Sequence, residues 1–338
     1  MSFPEVIEAQ ILQNRAFAFI RLPGESKIYL LTEDNTGQNI YSFTSFDTSK
    51  KYIFHFSEFQ ELTISELKKE FSVPLSVREN TNVISKDGYQ KLLDKTIRFL
   101  EEEKARKIVI SREKWIARSE IHPIQSFLFL CKKHPNSFCH LSYWNTAEVW
   151  LGATPEVLGT FENSVFKTMS LAGTLPDGDS FLWEEKEIKE HRYVTEYIHE
   201  KLKNYSSLIS LNGPNTLHLG HIKHLITYFS AKLESSTEPA TLIQALHPTP
   251  AVCGLPLEIS RDFILREEGY NRDFYAGYIG LQTPDSENYF VNLRCGKLYR
   301  NGALLFVGGG ITAQSNSEKE WKETELKAGS ITESLCLE

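Results

Sequence analysis

The order of hydrophobic and polar positions along the chain predicts strands that come in groups, with helices between the groups. Mixed aromatic and aliphatic runs predict strands at 16–22, 27–32, 51–56, 107–112, 138–144, 148–152, 157–161, 165–171, 216–233, 275–282, 288–295 and 303–307. Apolar residues at helical spacing predict helices at 85–105, 123–133, 182–204, 240–246, 257–269 and 317–335. Ser85 is a plausible N-cap for the first of these helices.

This grouping favours an α+β fold with large antiparallel sheets, because parallel sheets require a regular alternation of strands and helices. The chain contains no internal repeat, low-complexity tract or linker-like segment. We therefore expect one continuous domain over residues 1–338.

Composition narrows the class of protein. The chain has 338 residues, of which 41% are hydrophobic and 24% are charged, as in ordinary packed domains. A net charge of −7 argues against a nucleic-acid partner, although a local basic patch can still bind an acidic small molecule. Five widely spaced cysteines, the absence of a signal-peptide pattern and the lack of a long apolar run predict a cytoplasmic protein that does not enter a membrane.

The last predicted helix carries a candidate binding face. Glu320, Glu323 and Lys327 are spaced three and four residues apart, so they share one side of the helix. The general alternative is a solvated face with a salt bridge. The preceding Gly308, Gly309 and Gly310, predicted as a loop between strand and helix, allow a ligand to approach the backbone closely. Together they indicate a carboxylate substrate bridged by a hard cation.

Two further parts of the sequence carry residues that could take part in chemistry. Glu190 lies in the carboxylate-rich helix at 182–204, and nearby apolar residues indicate that this helix is partly buried. His218, His221 and His224 lie in one strand-like run, where only the first and third share a face. That geometry argues against a zinc site at the three histidines.

At this point the sequence resembles the chorismate-utilising enzymes, the family of isochorismate synthase, salicylate synthase and anthranilate synthase component I. The resemblance covers residues 85–335, and it implies the family's α+β fold of two large antiparallel sheets with helices outside. A shortened N-terminal part over 1–84 is expected to precede this catalytic region. The resemblance is carried by nine blocks in order, Lys107–Arg112, Gly152–Glu156, Leu171–Thr174, Lys189–His191, His247–Gly254, Tyr275–Gly280, Asn292–Cys295, Gly308–Ile311 and Glu320–Thr324.

The resemblance implies roles for the anionic and cationic residues. It implies that Glu190 and Glu323 bind Mg²⁺ directly and that Glu320 binds it through water, with the metal holding the ring carboxylate of chorismate. Magnesium suits such a site because it accepts few protein carboxylates and keeps several waters. Arg294 and the segment Gly308–Gly310 correspond to the anchor for the enolpyruvyl carboxylate.

Further substrate contacts follow from the same resemblance. Lys327 is expected to help hold a carboxylate, and Ala172, Gly173 and Thr174 are expected to border the substrate. His247 is expected near the departing hydroxyl. A structural histidine between prolines is the alternative for that residue.

The nucleophile is the most informative part of the resemblance. Lys107 corresponds to a base that activates water, and Glu156 to an acid that protonates the leaving hydroxyl. Burial favours the neutral form that each role requires. Relatives that use ammonia usually carry glutamine in place of Lys107, and relatives that form a covalent amine adduct carry lysine in place of Ala172. Water is therefore the expected nucleophile, and no glutaminase subunit is expected.

The expected activity is the conversion of chorismate to isochorismate by a monomeric enzyme. Salicylate synthase is an alternative, because it forms the same intermediate before it eliminates pyruvate. A non-catalytic homologue that only binds chorismate is the second alternative, and the presence of Lys107, Glu156, Glu190 and Glu323 argues against it.

Overall fold

A computed structural model describes residues 3–67, 72–119, 121–145, 148–178, 182–219, 222–234 and 237–336. Its helices are α1 (Phe3–Leu12), α2 (Ile64–Leu67), α3 (Lys86–Glu101), α4 (Pro123–Lys133), α5 (Glu185–Leu202), α6 (Pro239–Leu246), α7 (Leu257–Glu267) and α8 (Ser317–Thr332). Its strands are β1 (Phe17–Arg21), β2 (Ile28–Thr32), β3 (Asn39–Thr44), β4 (Lys51–Phe56), β5 (Gln60–Leu62), β6 (Lys107–Ala117), β7 (Phe138–Tyr143), β8 (Val149–Thr154), β9 (Val157–Glu162), β10 (Val165–Pro176), β11 (Leu208–Leu219), β12 (Ile222–Lys232), β13 (Gly254–Leu255), β14 (Tyr278–Gln282), β15 (Ser286–Val291), β16 (Cys295–Tyr299) and β17 (Gly302–Ile311).

Within the described residues, these strands form two large sheets in which neighbouring strands pair antiparallel. The first sheet has the order β13-β6-β17-β16-β8-β7-β1-β2-β5, and the second has the order β11-β12-β10-β9-β15-β14-β3-β4. The predicted α+β fold with two large antiparallel sheets is confirmed. Strands from the N-terminal part join both sheets, so this part is built into the same architecture as the rest.

The main core lies between the two sheets. Phe138 on β7 stacks on Phe290 on β15, with ring centroids 4.1 Å apart. Tyr41, Phe43 and Trp150 belong to the same buried cluster. A second cluster covers the other face of the first sheet, where α1 and α4 pack. Because both faces of the first sheet are buried, its strands are continuous apolar runs in the sequence. These runs allowed the strands to be predicted.

The helices follow the predicted pattern closely. Ser85 caps α3, because its hydroxyl accepts a hydrogen bond from the Gly88 amide at 3.1 Å. Tyr89, Leu92 and Leu93 are buried as their spacing predicted. Among the helices of the described ranges, none is both long and apolar enough to cross a membrane.

Some elements differ from the prediction made from sequence. The elements that were not predicted are helices α1 and α2, strands β3, β5 and β13, most of β16 and the first half of β11. Strand β11 is largely exposed on both faces, so it lacks the alternation of apolar and polar residues that marks a half-buried strand. The predicted strand at 216–233 includes parts of β11 and β12, with residues 220 and 221 outside the described ranges.

The prediction that Gly308–Gly310 form a loop was wrong. These glycines continue strand β17, and they pair with Ser111, Ile110 and Val109 of β6. The pairing of β17 with β16 extends only from Gly302 to Leu305. Backbone groups of alternate residues beyond Leu305 therefore point away from β6, toward the side on which the cavity described below opens.

Candidate active site

A cavity lies where the two sheets meet helices α5 and α8. Ten residues singled out from the sequence line it, although they come from distant parts of the chain. They are Glu156, Ala172, Gly173, Thr174, Glu190, Arg294, Gly308, Gly309, Gly310 and Lys327. The fold thus brings most of the predicted site together in one place.

Lys107 lies beside this cavity in a completely buried position at the start of β6. Its ammonium is 2.9 Å from a carboxylate oxygen of Glu190, which projects from α5. A Cβ atom on Gly310 would overlap the Glu190 carboxylate and would lie 2.7 Å from Cε of Lys107. Glycine is therefore required at 310 so that strand β17 can approach this ion pair.

Glu156 occupies the bend between β8 and β9 and is only 4% exposed. Burial raises the pKa of its carboxyl to about 7, although the positive charges of Lys107, Lys327 and Arg294 act in the opposite direction. A carboxyl group with this pKa keeps its proton for a large part of the time near neutral pH. It is thus suited to act as a general acid.

Arg294 is held in place by a neutral histidine. Its Nη2 donates a hydrogen bond to Nε2 of His224 at 3.2 Å. The other ring nitrogen, Nδ1, lies 3.2 Å from the Gly173 carbonyl oxygen, to which it can donate. Burial, together with the charges of Arg294 and Lys327, lowers the pKa of His224 well below its ordinary value. The neutral Nδ1–H form therefore accounts for both contacts.

One nitrogen of Arg294 remains available for a ligand. Its Nη1 is buried and has no hydrogen-bond partner among the described residues. Burial lowers the pKa of the guanidinium to about 10, with Glu156 acting in the opposite direction, so the group stays charged at neutral pH. A buried, charged and partly unpaired guanidinium is suited to bind a carboxylate.

The predicted metal ligands face the glycine segment from two helices. A Cβ atom placed on Gly309 would lie 3.4 Å from Oε2 of Glu320 and 3.5 Å from Oε1 of Glu323. Each carboxylate has a lysine partner. Lys107 pairs with Glu190, Lys186 with Glu320 at 2.8 Å, and Lys327 with Glu323 at 2.7 Å.

These carboxylates fit a magnesium ion in their chemistry. Their donors are hard oxygens, and Oε2 of Glu320 is buried without a hydrogen-bond partner in the described structure. Burial and the neighbouring Glu323 raise the pKa of Glu320 to about 6, against the effect of Lys186. A cation near the cluster would relieve this unfavourable burial of negative charge. With each carboxylate paired to its lysine, no three histidine, cysteine, aspartate or glutamate side chains of the described residues are close enough together to hold a metal.

Comparison with known proteins identifies the family of the chain. The family model described as "Chorismate binding enzyme" matches residues 31–336. The chain belongs to this family of chorismate-binding enzymes.

Several relatives and a solved structure are similar to this chorismate-binding enzyme. Isochorismate synthase MenF of Haemophilus influenzae is 27% identical over 316 residues, which are 89% of this chain and 72% of that protein. The chloroplastic isochorismate synthase 2 of Arabidopsis thaliana is 29% identical over 287 residues, covering 80% of this chain but only 51% of the relative. The structure of MenF from Escherichia coli superposes with a TM-score of 0.80 at 20% identity, covering 95% of this chain and 89% of that one.

His247 lies outside the lining of the cavity in this chorismate-binding enzyme. Its imidazole packs edge-on against Tyr278, with ring centroids 4.9 Å apart, and Nε2 lies 3.2 Å from the Phe46 carbonyl oxygen. Burial lowers its pKa to about 4. These contacts correspond to the structural alternative for this residue, with one ring nitrogen bound to the backbone.

Two residues of the site had no role assigned from sequence. His224 was considered only as a zinc ligand, and Tyr275 only as part of a resemblance block, yet both line the cavity. His218 is instead exposed and pairs with Asp177, and His221 lies outside the described residues. His218 and His224 do not share one continuous strand, because His218 is on β11 and His224 on β12. A lone histidine or tyrosine in an apolar strand gives little signal of a site, since most such residues belong to the core.

Proposed function

We propose that this chorismate-binding enzyme is an isochorismate synthase. The observation that carries the proposal is the placement of a buried lysine and a buried glutamic acid at one cavity that also presents the Arg294 guanidinium. Addition of water with loss of hydroxyl needs a base, an acid and an anchor for an anionic substrate. Lys107, Glu156 and Arg294 supply these three functions.

In the proposed reaction, the Lys107 ammonium first gives a proton to solvent, and the resulting amine accepts a proton from water as the oxygen of that water forms a bond to C2 of the ring. The ring double bond shifts, and the bond from C4 to its hydroxyl breaks. Glu156 gives its proton to that hydroxyl, which leaves as water. The product has the same atoms as the substrate, and solvent exchange returns both side chains to their starting states.

The other residues of the cavity hold the substrate. Arg294 and backbone N–H groups of Gly308–Gly310 bind the enolpyruvyl carboxylate, with Lys327 beside them, where its ammonium donates to the Gly308 carbonyl oxygen at 3.1 Å. Glu190 and Glu323, and Glu320 through water, are proposed to hold Mg²⁺, which supplies positive charge for the ring carboxylate. The names of the relatives support the proposed activity, since these proteins are isochorismate synthases.

Product analysis tests the proposed function. The purified chain is incubated with chorismate and Mg²⁺, with and without ammonium, and the products are separated by chromatography. Isochorismate alone is expected, because the cavity holds a base for water and no glutaminase subunit is needed. Salicylate with pyruvate would establish the salicylate synthase alternative. Anthranilate or an aminochorismate at a matching rate would overturn water as the nucleophile, and the absence of turnover would identify a binding protein.

The pH dependence tests the acid. Since the raised pKa keeps Glu156 protonated below about pH 7, we expect kcat/KM to fall as pH rises above this value. In Glu156→Gln the residual activity should lack this decline, because glutamine does not titrate. Burial also raises the pKa of Glu113, which lies outside the cavity lining, so Glu113→Gln is a matched control and should keep the decline. An unchanged decline in Glu156→Gln would show that another group is the acid.

A further inference from the structure

Arg112 connects the strand of the proposed base to the helix of the proposed metal ligands. It lies on β6, five residues after Lys107, and is 2% exposed. Its Nε and Nη2 donate hydrogen bonds to Oγ1 of Thr324 on α8, at 3.1 Å and 3.0 Å. Its guanidinium carbon also lies 3.9 Å from the ring centroid of Trp321, and the group forms an ion pair with Glu325. One side chain therefore contacts three residues of α8.

Thr324 lies beside the helical face that enters the site, about halfway along it. Glu320 is four residues before it and Lys327 three residues after it, so all three project from one side of α8. Thr324 is completely buried, and its hydroxyl donates to the Trp321 carbonyl at 2.8 Å while it accepts from Arg112. The guanidinium is thus bound at the border of this face, yet Arg112 itself is absent from the lining of the cavity.

The rotation of a helix about its axis determines where its side chains end. Side-chain ends lie about 5–6 Å from the axis, so a rotation of ~10° moves them by about 1 Å. A displacement of this size in a catalytic or metal-binding group commonly reduces activity by about 10²-fold. A guanidinium that donates two hydrogen bonds and stacks on a ring restrains this rotation better than an ammonium. Its planar group fixes the direction of the contact as well as its distance.

We propose that Arg112 is a positioning residue that sets the rotation of α8 against β6, so that Glu320, Glu323 and Lys327 converge on the cavity beside Lys107. The role deepens the proposed function, because the groups that it orients are the proposed metal and carboxylate ligands. It does not require Arg112 to touch the substrate or the metal.

The test measures metal affinity separately from turnover. Mn²⁺ replaces Mg²⁺ as a probe, and electron paramagnetic resonance determines the free ion during titration of the full chain. Arg112→Met and Thr324→Val are each expected to raise the Kd for Mn²⁺ by about tenfold or more and to lower kcat, and Arg112→Lys should recover only part of the loss. Because the two residues act through one contact, the double variant should be little worse than Arg112→Met alone.

Arg21→Met is the matched control. Arg21 is also buried, and its guanidinium binds the carbonyl oxygens of Cys131 and Ser137, both at 2.9 Å, far from α8 in sequence. It should lose thermal stability while it keeps the wild-type Kd for Mn²⁺ and kcat. Wild-type values in Arg112→Met, or an equal loss in Arg21→Met, would overturn the positioning role. If the wild-type chain binds no Mn²⁺, the metal assignment is wrong. The positioning role is then decided by kcat, which should fall in Arg112→Met and stay at the wild-type value in Arg21→Met.

Discussion

Replacement of Glu190 or Glu323 by alanine is expected to abolish turnover without unfolding the chain. Each variant removes a carboxylate that is proposed to hold Mg²⁺, and metal-ion catalysis contributes several kcal/mol, so a loss of about 10³-fold or more is expected. The chelator EDTA should have the same effect on the unmodified enzyme, and added Mg²⁺ should reverse it. The measurements are kcat for isochorismate formation and the unfolding midpoint of each variant.

The two variants also separate metal binding from the lysine contacts. Glu190→Ala leaves Lys107 without its carboxylate partner, whereas Glu323→Ala leaves Lys327 without its partner. A loss of Mg²⁺ binding that both variants share therefore points to the metal and not to either lysine. Glu318→Ala is a matched control on α8, since Glu318 is partly exposed and pairs with Lys86 outside the cavity lining. Full activity of the wild-type chain in EDTA would contradict the metal assignment.

Replacement of Lys107 or Glu156 by glutamine is expected to lower kcat by about 10²–10⁴-fold, the usual contribution of one general acid or base. Lys107→Gln removes the group that accepts a proton from water, and Glu156→Gln removes the group that gives one to the leaving hydroxyl. Binding of chorismate should largely survive, because Arg294 and the glycine segment hold the carboxylates independently. Calorimetric titration with chorismate and steady-state kinetics measure the two effects.

Lys107→Gln gives the sharper result of the two. Glutamine does not accept a proton from water, but it can orient ammonia, which needs no base. The variant should therefore lose isochorismate formation and gain slow amination at high ammonium. Lys167→Gln, an exposed position on β10, is the control and should behave as wild type. Near-native isochorismate synthesis by Lys107→Gln would show that Lys107 is not the base.

The sequence by itself determined the class of fold and most members of the site. Long amphipathic helices such as α3 carry their period in the sequence, because each buries a defined face. Strands β7 and β8 are instead recognised as continuous apolar runs, because both of their faces are buried. The spacing of Glu320, Glu323 and Lys327 placed them on one side of α8 for the same reason. The resemblance then brought Lys107, Glu156 and Arg294 into the same proposal, although they are far apart in the chain.

Only the tertiary structure decided how these residues meet. That Gly308–Gly310 form part of a strand follows from their pairing with β6, a contact between residues nearly 200 positions apart. Different elements are joined by the ion pairs of Lys107 with Glu190 and of Lys186 with Glu320. The hydrogen bond from Arg294 to His224 also joins distant parts of the chain. Local sequence records which face an element buries. It does not record which distant partner covers that face, because that partner is chosen by the packing of the whole chain.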